Sequence, residues 1–531
     1  MTTTAEPNPD TYGIAPDVYR RRWLILAILN LSLVIIVIAV SALNVAIPTI
    51  QRELGASGTE LQWIIDAYAL VFAGLLLPGG ALGDRFGRKG ALVVGLVIFG
   101  GAALAASQAN DPNQLIAMRT LMGVGAALIM PATLSIILNS FPMHERPKAI
   151  ALRAAFAGVG GALGPITSGV LLEHYWWGSV FMVCIPIVVL LIVLTVLFVP
   201  TSRDPGHTAL DPIGAVLSVV ALVGLVFAVI EGPELGWTSP ATLAGFAAFV
   251  VGGALFVRYE LSISNPMLDP RLFRVRPFST GSGAITTIFL CTFGMFFLMT
   301  QFFQFVQGYS PLESGIRQLP YAITLIAIAP RGPKIISRFG VRRVVRVGFW
   351  IGAAAFALLS TIDVDAAYWI VVVSLVPIAA GSAVVMPASS QLIVGSVPLA
   401  KSGVGSAVND VTREVGAALG IAVLGSVTAS RFHSAMAAPT EALPPEVGDI
   451  ASESVGQALA VANRLGGEAG QRLASEAQHA FTRGVGLAFL VAAVVMAVAG
   501  YFYGRLMPDA LPSRIIPSED LNTDALEVNE A

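Results

Sequence analysis

The sequence predicts an all-α polytopic membrane protein, and three observations carry that prediction. Of 531 residues, 55% are hydrophobic and only 12% charged. Apolar runs such as WLILAILNLSLVIIVIAVSALNVAIP (from Trp23) and GSVFMVCIPIVVLLIVLTVLFVP (from Gly178) exceed the ~20 residues a helix needs to cross a bilayer. Basic residues gather in every second gap between such runs, the bias that marks the cytoplasmic face. Hydrocarbon offers the backbone no hydrogen-bond partner, so runs of this length must satisfy their own amides as helices.

Taken in order, the spans fall at 23–47, 61–82, 91–109, 114–138, 149–171, 179–199, 212–230, 241–258, 278–303, 315–333, 344–361, 368–393, 403–431 and 483–504, fourteen in all. The basic gaps hold Arg20–Arg22, then Arg85, Arg88 and Lys89, then Arg146 and Lys148, and later Arg338, Arg342 and Arg343. Both termini are therefore expected on the cytoplasmic side, which an even count requires. Residues 1–22 have no small-residue cleavage site and read as a retained tail. The expected organisation is a six-helix bundle over 23–199, two inserted helices with their linkers over 200–276, a second six-helix bundle over 277–504, and a cytoplasmic tail over 505–531. One external loop, 432–482, is long and reads as two short amphipathic helices split by Gly466–Gly467. It is either a solvated hairpin or a gating or partner-binding element. Cys184 and Cys291 lie inside apolar spans, so no disulfide framework is expected.

The chain also repeats itself. GAALIMPAT from Gly125 returns as GSAVVMPAS from Gly381, and VGGALGPITSG from Val159 returns as VGAALGIAVLG from Val415, both at an offset of 256. RFGRK from Arg85 returns as RFGVR from Arg338, with Gly95 and Gly348 following at equal distance. Three collinear matches indicate that the first six spans are duplicated in the last six, with spans 7 and 8 between. Parallel repeats with a binding site between them suit a transporter that alternates access. No nucleophile triad, phosphate-cradling loop, metal constellation or ATP site is visible, so neither catalytic residues, cofactors nor metals are expected. An ion gradient or the substrate's own gradient is left as the driving force. No nucleic-acid partner is expected.

The motifs add a resemblance. GALGDRFGRK at 80–89, AMRTLMGVGAALIMP around Arg119, GGALGPITSG at 160–169, NPMLDPRLF and GYSPLESGIRQLP occur in order. Together they resemble the fourteen-span drug:proton antiporters of the major facilitator superfamily, the quaternary-ammonium and multidrug efflux branch. The resemblance implies the major facilitator fold, with two six-helix bundles plus two central helices. It also implies proton-coupled efflux of lipophilic, cationic drugs or dyes through the inner (plasma) membrane by a monomer embedded in the lipid bilayer. An exporter of an endogenous amphiphile or metabolite on the same fold, and a non-transporting membrane sensor, are the competing readings. The sequence departs from the family where span 1 usually carries an acid, here Ala39 before Asn44, and where span 5 often has tryptophan, here Arg153.

Candidate residues follow from both lines. Gly80, Gly83 and Gly87 permit a tight loop, while Asp84 and Arg88, with Glu145 as partner of Arg88, would form a cytoplasmic latch; topology-setting charge is the alternative. Gly160, Gly164, Pro165 and Gly169 match the antiporter motif of span 5. Charges within spans are costly and are functional candidates by default. Asp66 and Arg119 lie at similar depth and are expected to pair, either as a structural ion pair or as a proton-sensitive one. In span 13, Asp410 and Glu414 share a face, with Arg413 as the charge partner of Asp410 and Glu414 as the expected proton carrier; a salt-bridge cluster is the alternative. Asn44, Tyr68, Arg153, Phe293 and Phe297 are candidates to line a substrate cavity, the phenylalanines because cations bind over aromatic faces, although packing explains such a stripe equally.

Overall fold

The computed structural model describes residues 14–142, 145–202, 211–263, 266, 268–397, 402–441 and 443–509. Among them the regular structure is entirely helical. In chain order it comprises α1 (Pro16–Leu54), α2 (Gly58–Phe86), α3 (Arg88–Ala106), α4 (Pro112–Ser140), α5 (Arg146–His174), α6 (Ser179–Met182), α7 (Cys184–Phe198), α8 (Pro212–Leu235), α9 (Pro240–Ser262) and α10 (Arg276–Gln301). There follow α11 (Pro311–Arg317), α12 (Leu319–Ile328), α13 (Gly332–Phe339), α14 (Val341–Leu359), α15 (Tyr368–Gly395), α16 (Ser402–Thr440), α17 (Pro445–Glu453), α18 (Val455–Leu465) and α19 (Gly467–Leu506).

Every predicted span falls on helix, but the sixth is split into α6 and α7, and the tenth runs from the end of α11 through α12 and a short 3-10 turn into α13. Among the described residues eleven helices or joined helices are long and apolar enough to cross a membrane. The regions at spans 5, 10 and 11 are not among them. Arg342, Arg343 and Arg346 explain the last of these, in α14, and the break into α12 and α13 explains span 10; many side chains of α5 lie outside the described residues. Val189, Leu190, Val193, Val196 and Leu197 of α7 are all about half exposed or more, a continuous apolar face of a kind that water-facing surfaces rarely carry.

The chain divides into two compact units. The first contains residues 1–219, 300–319 and 456–464; the second contains 220–299, 320–455 and 465–531. In the first, α1 packs on α5, and α4 on both α2 and α3. Ser57 and Glu60 close a reciprocal cap at the start of α2, and Asp111 caps α4. In the second, α14 packs on α15 and α19, and α16 on α19.

The duplication read from sequence reappears as packing. In the first unit a Cβ on Gly95 would lie 2.8 Å from the carbonyl oxygen of Gly125. In the second, a Cβ on Gly381 would lie 2.6 Å from the carbonyl oxygen of Gly348. The same two glycine positions thus let α3 cross α4 and α14 cross α15. The second seam repeats likewise. A Cβ on Gly160 would stand 3.0 Å from Val37 of α1, and one on Gly416 would stand 2.5 Å from the Thr286 carbonyl oxygen of α10. Small residues at such crossings let backbones approach where lipid supplies no hydrophobic drive.

The external loop differs from expectation. Gly466 and Gly467, both with positive φ, do interrupt the helices. Yet α16 runs on to Thr440 and α19 begins at Gly467 and continues unbroken to Leu506. The second expected short helix is the start of the last long one. Residues 471–482 consist mostly of Ala, Glu, Gln, Arg and Leu, good helix formers, with no Gly or Pro in that stretch. The separate helices that remain are α17 and α18.

Candidate functional site

Asp66 sits in α2 with no exposed surface. Among the described residues neither of its buried carboxylate oxygens has a hydrogen-bond partner. Arg119, equally buried in α4, does not close the expected pair with it. Its Nε donates to the carbonyl of Ile64 at 3.0 Å, and its guanidinium lies 4.3 Å from the ring centroid of Tyr68. The register of α4 against α2 aims Arg119 at the Ile64 carbonyl and the Tyr68 ring, which flank Asp66 two residues to either side, and not at the carboxylate. Tyr68 is 1% exposed and serves here as the ring under Arg119. Gly123, four residues on from Arg119, explains the closeness: a Cβ there would meet the Tyr68 carbonyl oxygen at 2.7 Å.

Asn44 is buried in α1 and Arg153 is partly buried in α5. Beside Asn44, the carbonyl of Val45 accepts a hydrogen bond from Nε2 of Gln304 at 2.9 Å. Gln304 lies in a π-helical turn, Phe302–Val306, that ends the ninth span. Such turns inside α-helices are frequent at functional positions. Sequence reasoning missed Gln304, because a lone glutamine within FFQFVQ carries no periodic signal.

The span 5 motif is a packing seam. Gly164 abuts Ser41 and Ala42 of α1, Gly169 abuts Leu312 of α11, and a Cβ on Gly315 would meet the Pro165 carbonyl oxygen at 2.8 Å. Ser310, which caps α11, donates to Glu173 of α5 at 2.7 Å.

At the loop between α2 and α3, Gly87 adopts φ 118°, a conformation that side chains resist. Gly80 and Gly83 each leave room for one neighbour, Pro131 and Ala91 respectively. The Asp84 side chain lies outside the described residues. The backbone N–H of Arg88 donates to Ser202 at 2.9 Å, and Lys89 donates to the Val196 carbonyl at 2.8 Å. Both tie this loop to the end of α7. Glu145 receives both a 2.7 Å bond from Nε and a 3.2 Å bond from Nη2 of Arg22. The sequence offered Arg22 only as a topological marker; it clamps the start of α1 to the start of α5.

In the second unit, Asp410, Arg413 and Glu414 are all partly exposed on α16. Arg413 does not pair with Asp410. Its Nη2 lies 3.4 Å from the Ser390 hydroxyl, and its guanidinium stands 5.7 Å from the Phe289 ring. Ser390 in turn donates to Asn409 at 2.8 Å, whose amide lies 3.5 Å from Asp410. Ser390 was not legible because it comes from α15, far off in sequence. Phe289 stacks on Phe293 at 5.5 Å, and Phe293 is partly exposed, whereas Phe297 is 4% exposed and belongs to the packed core.

Residues 29–421 match the model of the Major Facilitator Superfamily. The chain belongs to this superfamily. It is 36% identical over 505 residues to the multidrug efflux pump LfrA of Mycolicibacterium smegmatis, covering 95% of this chain and 99% of that one. It is 37% identical to the methyl viologen resistance protein SmvA of Salmonella typhimurium, covering 87% and 93%. In structure it resembles a bacterial homologue of the human lysosomal transporter Spinster, with TM-score 0.65 at 19% identity, covering 94% and 99%, a likeness of fold. The superfamily is one of transporters, and this chain is accordingly a multi-span membrane protein built to move small molecules.

Proposed function

We propose that this protein exports lipophilic cationic drugs or dyes across the inner (plasma) membrane in exchange for protons, by alternating access. The cargo reading rests on relatives matched over nearly their whole length, one a multidrug efflux pump and one named for resistance to methyl viologen, an aromatic dication. The partly exposed Phe293, stacked on Phe289, offers a cation an aromatic face.

The observation that carries the proton half is the isolation of Asp66. An ionised carboxylate taken out of water without a partner costs several kcal/mol, so we assign the coupling proton to Asp66. When the helices around it move and admit water or a cationic substrate, the ionised form becomes accessible and the proton leaves. Binding of proton and of cargo then exclude one another, which is antiport. Glu414, on the other repeat, is the second acid we assign to coupling.

The test uses purified protein in proteoliposomes, with ethidium as cargo and an imposed pH gradient. Asp66→Asn keeps the shape and neutrality of the protonated acid. It is expected to abolish uphill, pH-driven export while preserving downhill exchange of ethidium. Full uphill export by Asp66→Asn overturns the assignment.

A further inference from the structure

The second unit holds a cavity that none of the residues above touches. Its volume is about 650 Å³, and it lies where the end of α14 meets α16 and the first half of α19. Arg431 of α16 and His479 and Arg483 of α19 line it, with Asp363 at the end of α14. Both arginines are exposed, and among the described residues neither is in an ion pair. Nδ1 of His479 lies 2.8 Å from the Ser475 carbonyl.

Leu487 and Leu490 form the apolar side of the same cavity. They open an exposed stripe that continues down α19 through Val494 and Val498, with exposures of 42%, 47%, 55% and 49% in turn. Residues at this spacing share one helix face. The stripe extends about 16 Å at 1.5 Å per residue. A basic cavity thus sits at the head of a hydrocarbon-facing track.

The position of these arginines argues against a topological role. The opposite ends of the same helices carry Arg342, Arg343 and Arg346 of α14 and Arg505 of α19. Arg342 donates to the Met507 carbonyl at 2.7 Å, which fixes those two ends on one side of the membrane. Orientation is set by basic excess on the cytoplasmic side, so Arg431 and Arg483, on the other side, work against it. A ligand of opposite charge accounts for them.

We propose that this cavity is a site for an anionic phospholipid of the leaflet at that end. The phosphate sits between Arg431 and Arg483, which suit phosphate as hydrogen-bonding cations. A headgroup hydroxyl donates to Asp363, and one acyl chain lies along the Leu487–Val498 stripe. Asp363 disfavours a ligand that is all anion and favours a phosphate followed by a donor, as in phosphatidylglycerol. The site is independent of the proposed transport cycle, so its failure leaves that cycle untouched.

Binding is measured by native mass spectrometry of the purified full-length protein in detergent. The probes are phosphatidylglycerol and phosphatidylcholine of equal chain length, with water-soluble glycerol 3-phosphate as competitor. The wild type is expected to prefer phosphatidylglycerol and to keep it when glycerol 3-phosphate is added. Replacing both Arg431 and Arg483 by alanine is expected to weaken phosphatidylglycerol at least about tenfold, since each basic residue at a membrane surface contributes on that scale. If the double variant is not recovered folded, Arg431→Gln alone decides, with an expected loss of about threefold or more. Equal retention of both lipids, unchanged phosphatidylglycerol binding in the variants, or displacement by glycerol 3-phosphate overturns the proposal; the last outcome assigns a free-anion site instead.

Discussion

Proton stoichiometry is decided by single carboxylates, and electrostatics says how many are needed. Exchange of one proton for one monovalent cation moves no net charge, so only the pH gradient drives it, at about 1.4 kcal/mol per pH unit. A second inward proton makes the cycle electrogenic and adds about 2.3 kcal/mol per 100 mV. With Asp66 in one repeat and Glu414 in the other, the chain has an acid for each. Removing Glu414 therefore has a specific expected result. Glu414→Gln should leave ethidium export driven by the pH gradient but insensitive to a potential imposed with potassium and valinomycin; export that still follows the potential counts against the assignment. The two acids were legible in the sequence, because a charge inside an apolar span stands out. Their partners were not. Arg119 on Ile64 and Tyr68, and Arg413 on Ser390, depend on the register between helices distant in sequence, and depth along a span does not specify which face a side chain meets.

At the scale of elements, glycines were the most legible feature and breaks in helices the least. The loop glycine of the RFG motif is one example. Gly87 and its repeat counterpart Gly340 have φ of 118° and 77° with ψ of 123° and 153°. Side chains are strained in this region by about 1–3 kcal/mol. At Gly87 an added Cβ would meet nothing within 4 Å, so substitution there reports backbone strain alone. Gly87→Ala and Gly340→Ala are each expected to destabilise the protein by about 1–3 kcal/mol, read as a lower melting temperature in detergent. Unchanged melting in both would show that the loop relaxes freely. The interruption of span 10, by contrast, follows APRGP from Ala329. Its apolar content hid the break, because hydropathy ignores proline.

At the scale of the molecule, the open question is how many of the helices cross. Among the described residues, length and apolarity select eleven, whereas the alternation of charge along the whole sequence predicts fourteen. The two counts place the termini on opposite or equal sides, so they are physically distinct. Two clamps favour the larger count, each within its own unit. Arg22 joins the starts of α1 and α5 through Glu145, as spans 1 and 5 must if both begin inside. Arg342 joins the start of α14 to the end of α19 through Met507 and Asp509, as spans 11 and 14 must. The arginines that lower the apolarity of α14 sit mostly in its first turn, where long side chains reach the interface at little cost. Single cysteines test this directly. Cys184 and Cys291 are buried and unpaired, and serine at both gives the background. In intact cells a membrane-impermeant maleimide is expected to label Asn110→Cys, Thr238→Cys and Asp365→Cys, and to label Thr201→Cys only after permeabilisation. If α5 fails to cross, Thr201 and Thr238 exchange sides and Asp365 is protected as well; if span 10 fails, Asp365 alone is protected. Labelling in either of those patterns rules out fourteen crossings, and with them the placement of both termini in the cytoplasm.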